Sequence, residues 1–314
     1  MKSKKIKLLP FVREDCVSVQ DVAQKAGWEI TAFNLPKTWA TTQGEGVKVA
    51  VLDTGADLNH DDLKANLLPG INMINPKRSA QDDNGHGSHV AGTICALNND
   101  LGVVGVAPKA KVVPVKVLDK KGSGDLAVVA KGIRWAVDQG VDMITMSLGS
   151  PAPVGQIKSA INYAESKKVV VFCAAGNAGQ TRQIFYPAAY PNVVGIGAID
   201  EKFNRANFSC TGPDLDFLAP GVRILSTVPV NWYAVLSGTS MATPFAVGLA
   251  CLLLSHKRKK NLSVKLETAQ DYINVLKQHT IPVSNPKFAG KQFFEGFGII
   301  DARKMGAWLE GLNS

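Results

Sequence analysis

Short apolar, β-branched runs alternate along this chain with stretches of helical periodicity, and few folds satisfy that alternation. It predicts a mostly parallel sheet covered by helices on both faces, the doubly wound α/β class. Strands are expected at 47–52, 111–118, 141–146, 168–173 and 193–199. Helices are expected at 124–139 and 156–166. The first places Leu126, Val129, Ala130, Ile133 and Val137 on one stripe. Residues 240–255 are apolar nearly all round, which predicts a buried helix. In open sheets of this class, the working crevice lies beyond the carboxyl ends of the strands. Asp53, Ser147-Leu148-Gly149 and Asn177 each follow directly after an expected strand.

The chain is large enough to bury a substantial core, with 314 residues, 46% hydrophobic and 19% charged. A charged, mixed segment gives way to Leu35-Pro36 near Phe33, so residues 1–32 read as an extension and 33–314 as one domain. Met1 to Lys7 is basic, but the apolar stretch after it is too short for a leader. The apolar run at 249–254 falls far below the roughly 20 residues that span a bilayer. A soluble protein made without such a leader, with no membrane partner, is expected.

Five cysteines cannot all pair, and none has zinc-site spacing. Cys95, Cys173 and Cys251 lie in apolar runs as small buried thiols, which favours a reducing cytoplasm. The net charge of +9 is scattered apart from 2–7 and 257–260, and the second run suits a helix end. No nucleic-acid partner is expected from it.

Three segments carry chemistry: Val51-Leu52-Asp53-Thr54-Gly55, Asn84-Gly85-His86-Gly87-Ser88-His89, and Ser237-Gly238-Thr239-Ser240-Met241-Ala242. Each alone has another explanation: a turn, a helix cap, a helix start. Together, in the order Asp, His, Ser, they resemble the signatures of the subtilase family. Met146-Ser147-Leu148-Gly149 and Ala174-Ala175-Gly176-Asn177 extend the resemblance, which runs from about Gly46 to Ala302. It implies a subtilisin-like fold and a serine endopeptidase acting on protein or peptide substrates. Asp53, His86 and Ser240 would form the triad, with Asn177 as oxyanion donor.

The chemistry requires those residue types. A serine hydroxyl needs a base to become nucleophilic, imidazole titrates near neutrality, and a carboxylate fixes its tautomer. His89 lacks the His-Glu-x-x-His pattern of a zinc site and is expected to pack beneath the cleft. An aspartic peptidase would need a second Asp-Thr/Ser-Gly, which is absent. A catalytically silent binding or regulatory protein would ordinarily lack a triad residue.

The resemblance further implies that Gly122-Ser123-Gly124 and Ser147-Leu148-Gly149 flank a substrate strand. Ala174, Ala175 and Gly176 would wall the pocket for the residue before the scissile bond. Phe185 would form its floor and favour a shorter side chain there. Asp62, Asn99 and the carbonyls of Leu97, Leu101 and Val103 would bind calcium; no further ligand is identifiable in the amino-terminal segment.

Leu8-Leu9-Pro10-Phe11 resembles a motif of the bacillar intracellular subtilisins. There a short extension lies across the active site until it is removed, which implies a zymogen. A pI near 9.2 departs from that usually acidic subgroup, and the tail after Asp301 is short for members that dimerise through it. A homodimer remains an expectation of the resemblance alone.

Overall fold

The computed structural model describes residues 5–18 and 23–312, with only the backbone for 15–18. Cys16 lies where the side chain is outside this description.

A nine-stranded sheet forms the centre. Its spatial order is Thr280–Ile281, Ile299–Ile300, Phe217–Pro220, Val194–Ile199, Val170–Ala174, Met143–Met146, Lys48–Asp53, Lys111–Lys116 and Ile71–Asn72. All neighbours are parallel except the first two. Val, Ile and Ala dominate the interior strands because helices cover both faces, so neither face tolerates polar alternation.

Helices His86–Cys95 and Thr239–Lys260 pack on each other against the sheet, and Leu126–Asp138 and Gly155–Ser166 form a second packed pair against it. The stripe expected on the helix Leu126–Asp138 is its buried face, and the Asp125 carboxylate caps its start by accepting from Ala127 N at 2.8 Å. Helix Thr239–Lys260 is buried from Thr239 to His256. It is long and apolar enough to cross a membrane, but its apolar stretch lies wholly in the protein core. Its basic last turn projects to solvent, where cations complement the carbonyl end of the helix.

From Lys48–Asp53 the chain runs to the edge strand Ile71–Asn72, returns to Lys111–Lys116 beside its starting strand, then crosses to Met143–Met146 on the other side. The strand ends at this reversal carry Asp53 and, just past Met146, Ser147. The crevice expected for this fold class therefore opens there.

The core also takes in residues before 33. Ile30, in the helix Trp28–Ala32, is buried in the main cluster, and Trp28 Nε1 donates to Val222 O at 2.9 Å. Composition marks a change near Phe33, but the packed body begins earlier. The four cysteines with described side chains are free and buried, and burial pushes the Cys95 thiol up to about 12.

Candidate active site

Asp53 ends its strand fully buried, and Thr54 N donates to its Oδ1 at 2.7 Å. His86 begins a helix behind Gly85, whose φ of 108° suits a residue without Cβ. The His86 Nδ1 meets both Asp53 oxygens, at 2.9 and 3.0 Å. Its tautomer follows: Nδ1 carries the proton toward the carboxylate, which leaves Nε2 free to act as a base.

Asp82 braces this pair. Its Oδ1 accepts from Thr54 Oγ1, Asn84 N and Gly85 N, and its Oδ2 accepts from Ser88 N and Ser88 Oγ. Burial opposes its ionisation, but the hydrogen bonds from Gly85, Ser88 and Asn84 outweigh that and hold its pKa below the usual range. The turn after Asp53 and the start of the His86 helix are thus tied to one carboxylate. Nothing in the sequence pattern singles Asp82 out from its neighbour Asp83.

His89 lies beneath, its Nε2 shared between Ile224 O and Ala234 O at 3.0 and 3.1 Å. Both partners are carbonyls, so Nε2 must donate. Burial, then the nearby His86, lowers its pKa to about 3. Among the described residues, no three His, Cys, Asp or Glu side chains converge as a metal cluster.

Ser240 is fully buried at the start of helix Thr239–Lys260. Its Oγ points to Ser147 O at 3.4 Å, and His86 Nε2 has no hydrogen-bond partner. The Asp–His contact is made and the Ser–His contact is open. The Phe11 ring lies 4.9 Å from the His86 ring, centroid to centroid.

Asn177 is oriented by Thr239, whose N and Oγ1 both donate to its Oδ1, at 2.9 and 2.7 Å. Its Nδ2 therefore faces the cleft, where it donates to Pro10 O at 2.5 Å.

The two expected edges flank a strand from this same chain. Lys5–Leu8 lies antiparallel to both Ser123–Asp125 and Leu148–Gly149, with Ile6 opposite Gly124, Lys7 opposite Ser123 and Gly149, and Leu8 opposite Leu148. Leu8 N donates to Gly122 O at 2.8 Å. Ile6 and Leu9 are each 2% exposed, while Lys7 points to solvent. The Leu9 side chain lies against Gly149, where any Cβ would sit 2.9 Å from it, and Phe185 borders the same glycine. Ala174 and Ala175 are buried beside this pocket, with Phe185 N donating to Ala175 O at 2.8 Å. Gly176 adopts a φ of 115°, and a Cβ there would meet Phe185 at 3.0 Å.

In the loop expected to bind calcium, Leu97 O, Asn99 Oδ1, Leu101 O and Val103 O converge on one group, the Gln24 amide, at 2.7 to 3.3 Å. Asp62 closes the arrangement, accepting from Asn99 Nδ2, Val103 N and Tyr233 Oη. Gly102 is obligatory, because a Cβ would lie 1.9 Å from Tyr233 Oη. The amino-terminal segment therefore places one side chain, Gln24, at the centre of these oxygens, a contact that sequence reasoning missed. It is held there by Gln24 N on Asp100 O and Lys25 N on Gly102 O.

Comparison with known proteins agrees with this geometry. Residues 44–298 match the Subtilase family. M-protease of Shouchella clausii (strain KSM-K16) is 46% identical over 246 residues, 78% of this chain and 63% of that protein. The chain thus spans under two thirds of the length of that relative. An intracellular serine protease of Paenibacillus polymyxa is 43% identical over 83% of this chain and 82% of its own. Subtilisin E of Bacillus subtilis (strain 168) is 39% identical over 96% and 76% respectively. With the α/β sheet, the Asp53–His86 contact and the match across most of its length, the chain belongs to the subtilase family.

Proposed function

We propose that this protein is a serine endopeptidase held inactive by its own amino-terminal residues. Ser240 Oγ attacks the substrate carbonyl while His86 Nε2 takes its proton and later delivers it to the leaving amine. Asp53 holds the imidazole in the required tautomer and stabilises the imidazolium. Asn177 Nδ2 stabilises the oxyanion, with Thr239 keeping the amide from rotating away. A substrate lies as a strand between 122–124 and 147–149, so main-chain bonds give affinity and the Leu9 pocket gives selectivity. Phe185 limits the depth of that pocket and favours side chains smaller than large aromatics.

The observation that carries the inhibitory reading is the placement of Pro10. Leu9 fills the pocket, yet the carbonyl on Asn177 belongs to Pro10, one residue further on. A bond cut after the pocket residue needs that residue's own carbonyl at the donor. Pro10 lacks an N–H and has a fixed φ, so it keeps the segment bound but out of register. Phe11 against His86 and the Ser240 Oγ hydrogen bond to Ser147 O, in place of one to His86, fit the same reading.

The loop chemistry fits calcium, which prefers six to eight oxygens. Leu97, Asn99, Leu101, Val103, Asp62 and, with its amide oxygen inward, Gln24 would hold it. When bound, the ion would crosslink the amino-terminal segment to the domain. Intracellular protein substrates in the cytoplasm are the reading that the buried free thiols and the relative named as intracellular favour. The assignment is tested by hydrolysis of a denatured protein after removal of the extension: activity should be present and lost in Ser240→Ala and His86→Ala. Persistence of activity in either variant would refute it.

A further inference from the structure

Beyond Pro10 the chain does not leave the cleft. Phe11 crosses His86, and Val12–Ser18 then lies antiparallel to Trp232–Ser237, from Val12 opposite Ser237 to Ser18 opposite Trp232. Six residue pairs form, with one irregularity between Val235 and Leu236. Trp232–Ser237 pairs on its other side with Ile224–Val228. Removal of Val12–Ser18 would therefore leave an open strand edge beside the catalytic residues, with backbone donors and acceptors free to pair.

One side-chain interaction marks a position on this edge. Glu14 pairs through Oε2 with Arg223 Nη1, and its Oε1 accepts from Ser237 Oγ at 3.3 Å. Ser237 Oγ in turn accepts from Arg223 N at 2.8 Å, so strand edge, hydroxyl and guanidinium form one receptor for a carboxylate. Glu14 is the fourth residue after the one whose carbonyl Asn177 holds. Lys5–Leu8 and Val12–Ser18 thus trace one extended polypeptide path on both sides of Ser240.

We propose that the Trp232–Ser237 edge binds the leaving-group side of peptide substrates as an added strand, and that Arg223 selects Asp or Glu at the fourth residue after the scissile carbonyl. This rests on the peptidase reading above, with the extension tracing the path a substrate follows. Main-chain pairing makes the site a length reader for on the order of six residues. The Arg223 contact makes it a charge reader of modest strength, because the Arg223 side chain is 57% exposed and solvent screens it.

The 314-residue protein is nicked by limited proteolysis until mass spectrometry shows the segment before Ala23 removed. kcat/KM is then measured on internally quenched peptides that share one unprocessed half and differ on the leaving side. Lengthening that side from two to seven residues should raise kcat/KM about tenfold, mainly through KM. Glu over Gln at the fourth position should gain about two- to fivefold, an advantage that shrinks with added salt. That advantage should vanish in Arg223→Gln and pass to Lys in Arg223→Glu. A synthetic peptide of residues 5–18 should inhibit, and its Glu14→Gln form should inhibit about two- to fivefold less. Indifference to length, or a Glu preference that survives Arg223→Gln, would overturn the site while leaving the peptidase reading intact. A nicked protein that cleaves none of the peptides would overturn both.

Discussion

The side-chain amide of Asn177 donates to the carbonyl of Pro10 at 2.5 Å, and under the proposed function the chain's own backbone then occupies the place where a substrate carbonyl would be held. The same amide is locked from behind by Thr239, and the neighbouring Leu9 is buried in the adjoining pocket. Under the proposed function, these contacts tie inhibition and catalysis to one set of groups.

Leu9 is the anchor whose loss should release the segment. A carboxylate in its apolar pocket would cost several kcal/mol unless it left for solvent. Unprocessed Leu9→Asp should therefore hydrolyse a short chromogenic peptide at least about tenfold faster than the unprocessed parent. Leu9→Met, similar in volume, should stay close to the parent. Equal rates for all three would show that this burial does not hold the cleft shut.

Asn177→Ala in the processed protein should lower kcat by about 10²–10³, the loss known for the corresponding donor of a subtilisin, with a much smaller change in KM. Steady-state kinetics on a single peptide decide this. A loss carried by KM alone would make Asn177 a ground-state binding group.

Chelation should lower the melting temperature, and added calcium should restore it. Gln24→Ala should weaken that response, because it deletes a donor that joins residues 23–25 to the loop 97–103. Differential scanning calorimetry with and without chelator reads both. A melting temperature indifferent to calcium in the parent would remove the ion from the account.

Glu29 should make stability fall as the solution becomes more alkaline. Burial raises its pKa to about 7, and its Oε2 has no partner. The folded protein keeps this proton up to about 7, while the unfolded chain releases it near 4.5. Proton release by the unfolded chain therefore favours unfolding as pH rises from 4.5 through 7. Glu29→Gln should add on the order of 1–3 kcal/mol at pH 8 in urea denaturation and almost nothing at pH 4. An equal effect at both values would point to packing in place of ionisation.

Much of this arrangement is legible in the amino acids, for reasons that differ by residue. The helix expected at 124–139 forms as Leu126–Asp138 because its stripe is strictly periodic and Asp125 caps it. Asp53 ends a strand, His86 begins a helix and Asn177 lies three residues past the strand Val170–Ala174, and short Gly-bearing signatures mark all three. The strand Val12–Ser18 was hidden, since its partner lies more than 200 residues away and its charged sequence shows no alternation. Gln24 was hidden because one polar residue acquires meaning only where four distant oxygens meet it. The boundary near Phe33 followed charge, whereas the core follows burial and takes in Ile30 and Ile6.

Covalent labelling with a fluorophosphonate tests most directly whether Ser240 is an intact nucleophile covered by the chain's own segment. The parent and Ser240→Ala should be labelled in parallel, each before and after proteolytic removal of the residues preceding Ala23. Labelling should be slow in the intact parent, at least about tenfold faster once the segment is gone, and absent in Ser240→Ala throughout. Equal labelling before and after removal, or labelling that persists in Ser240→Ala, would contradict it.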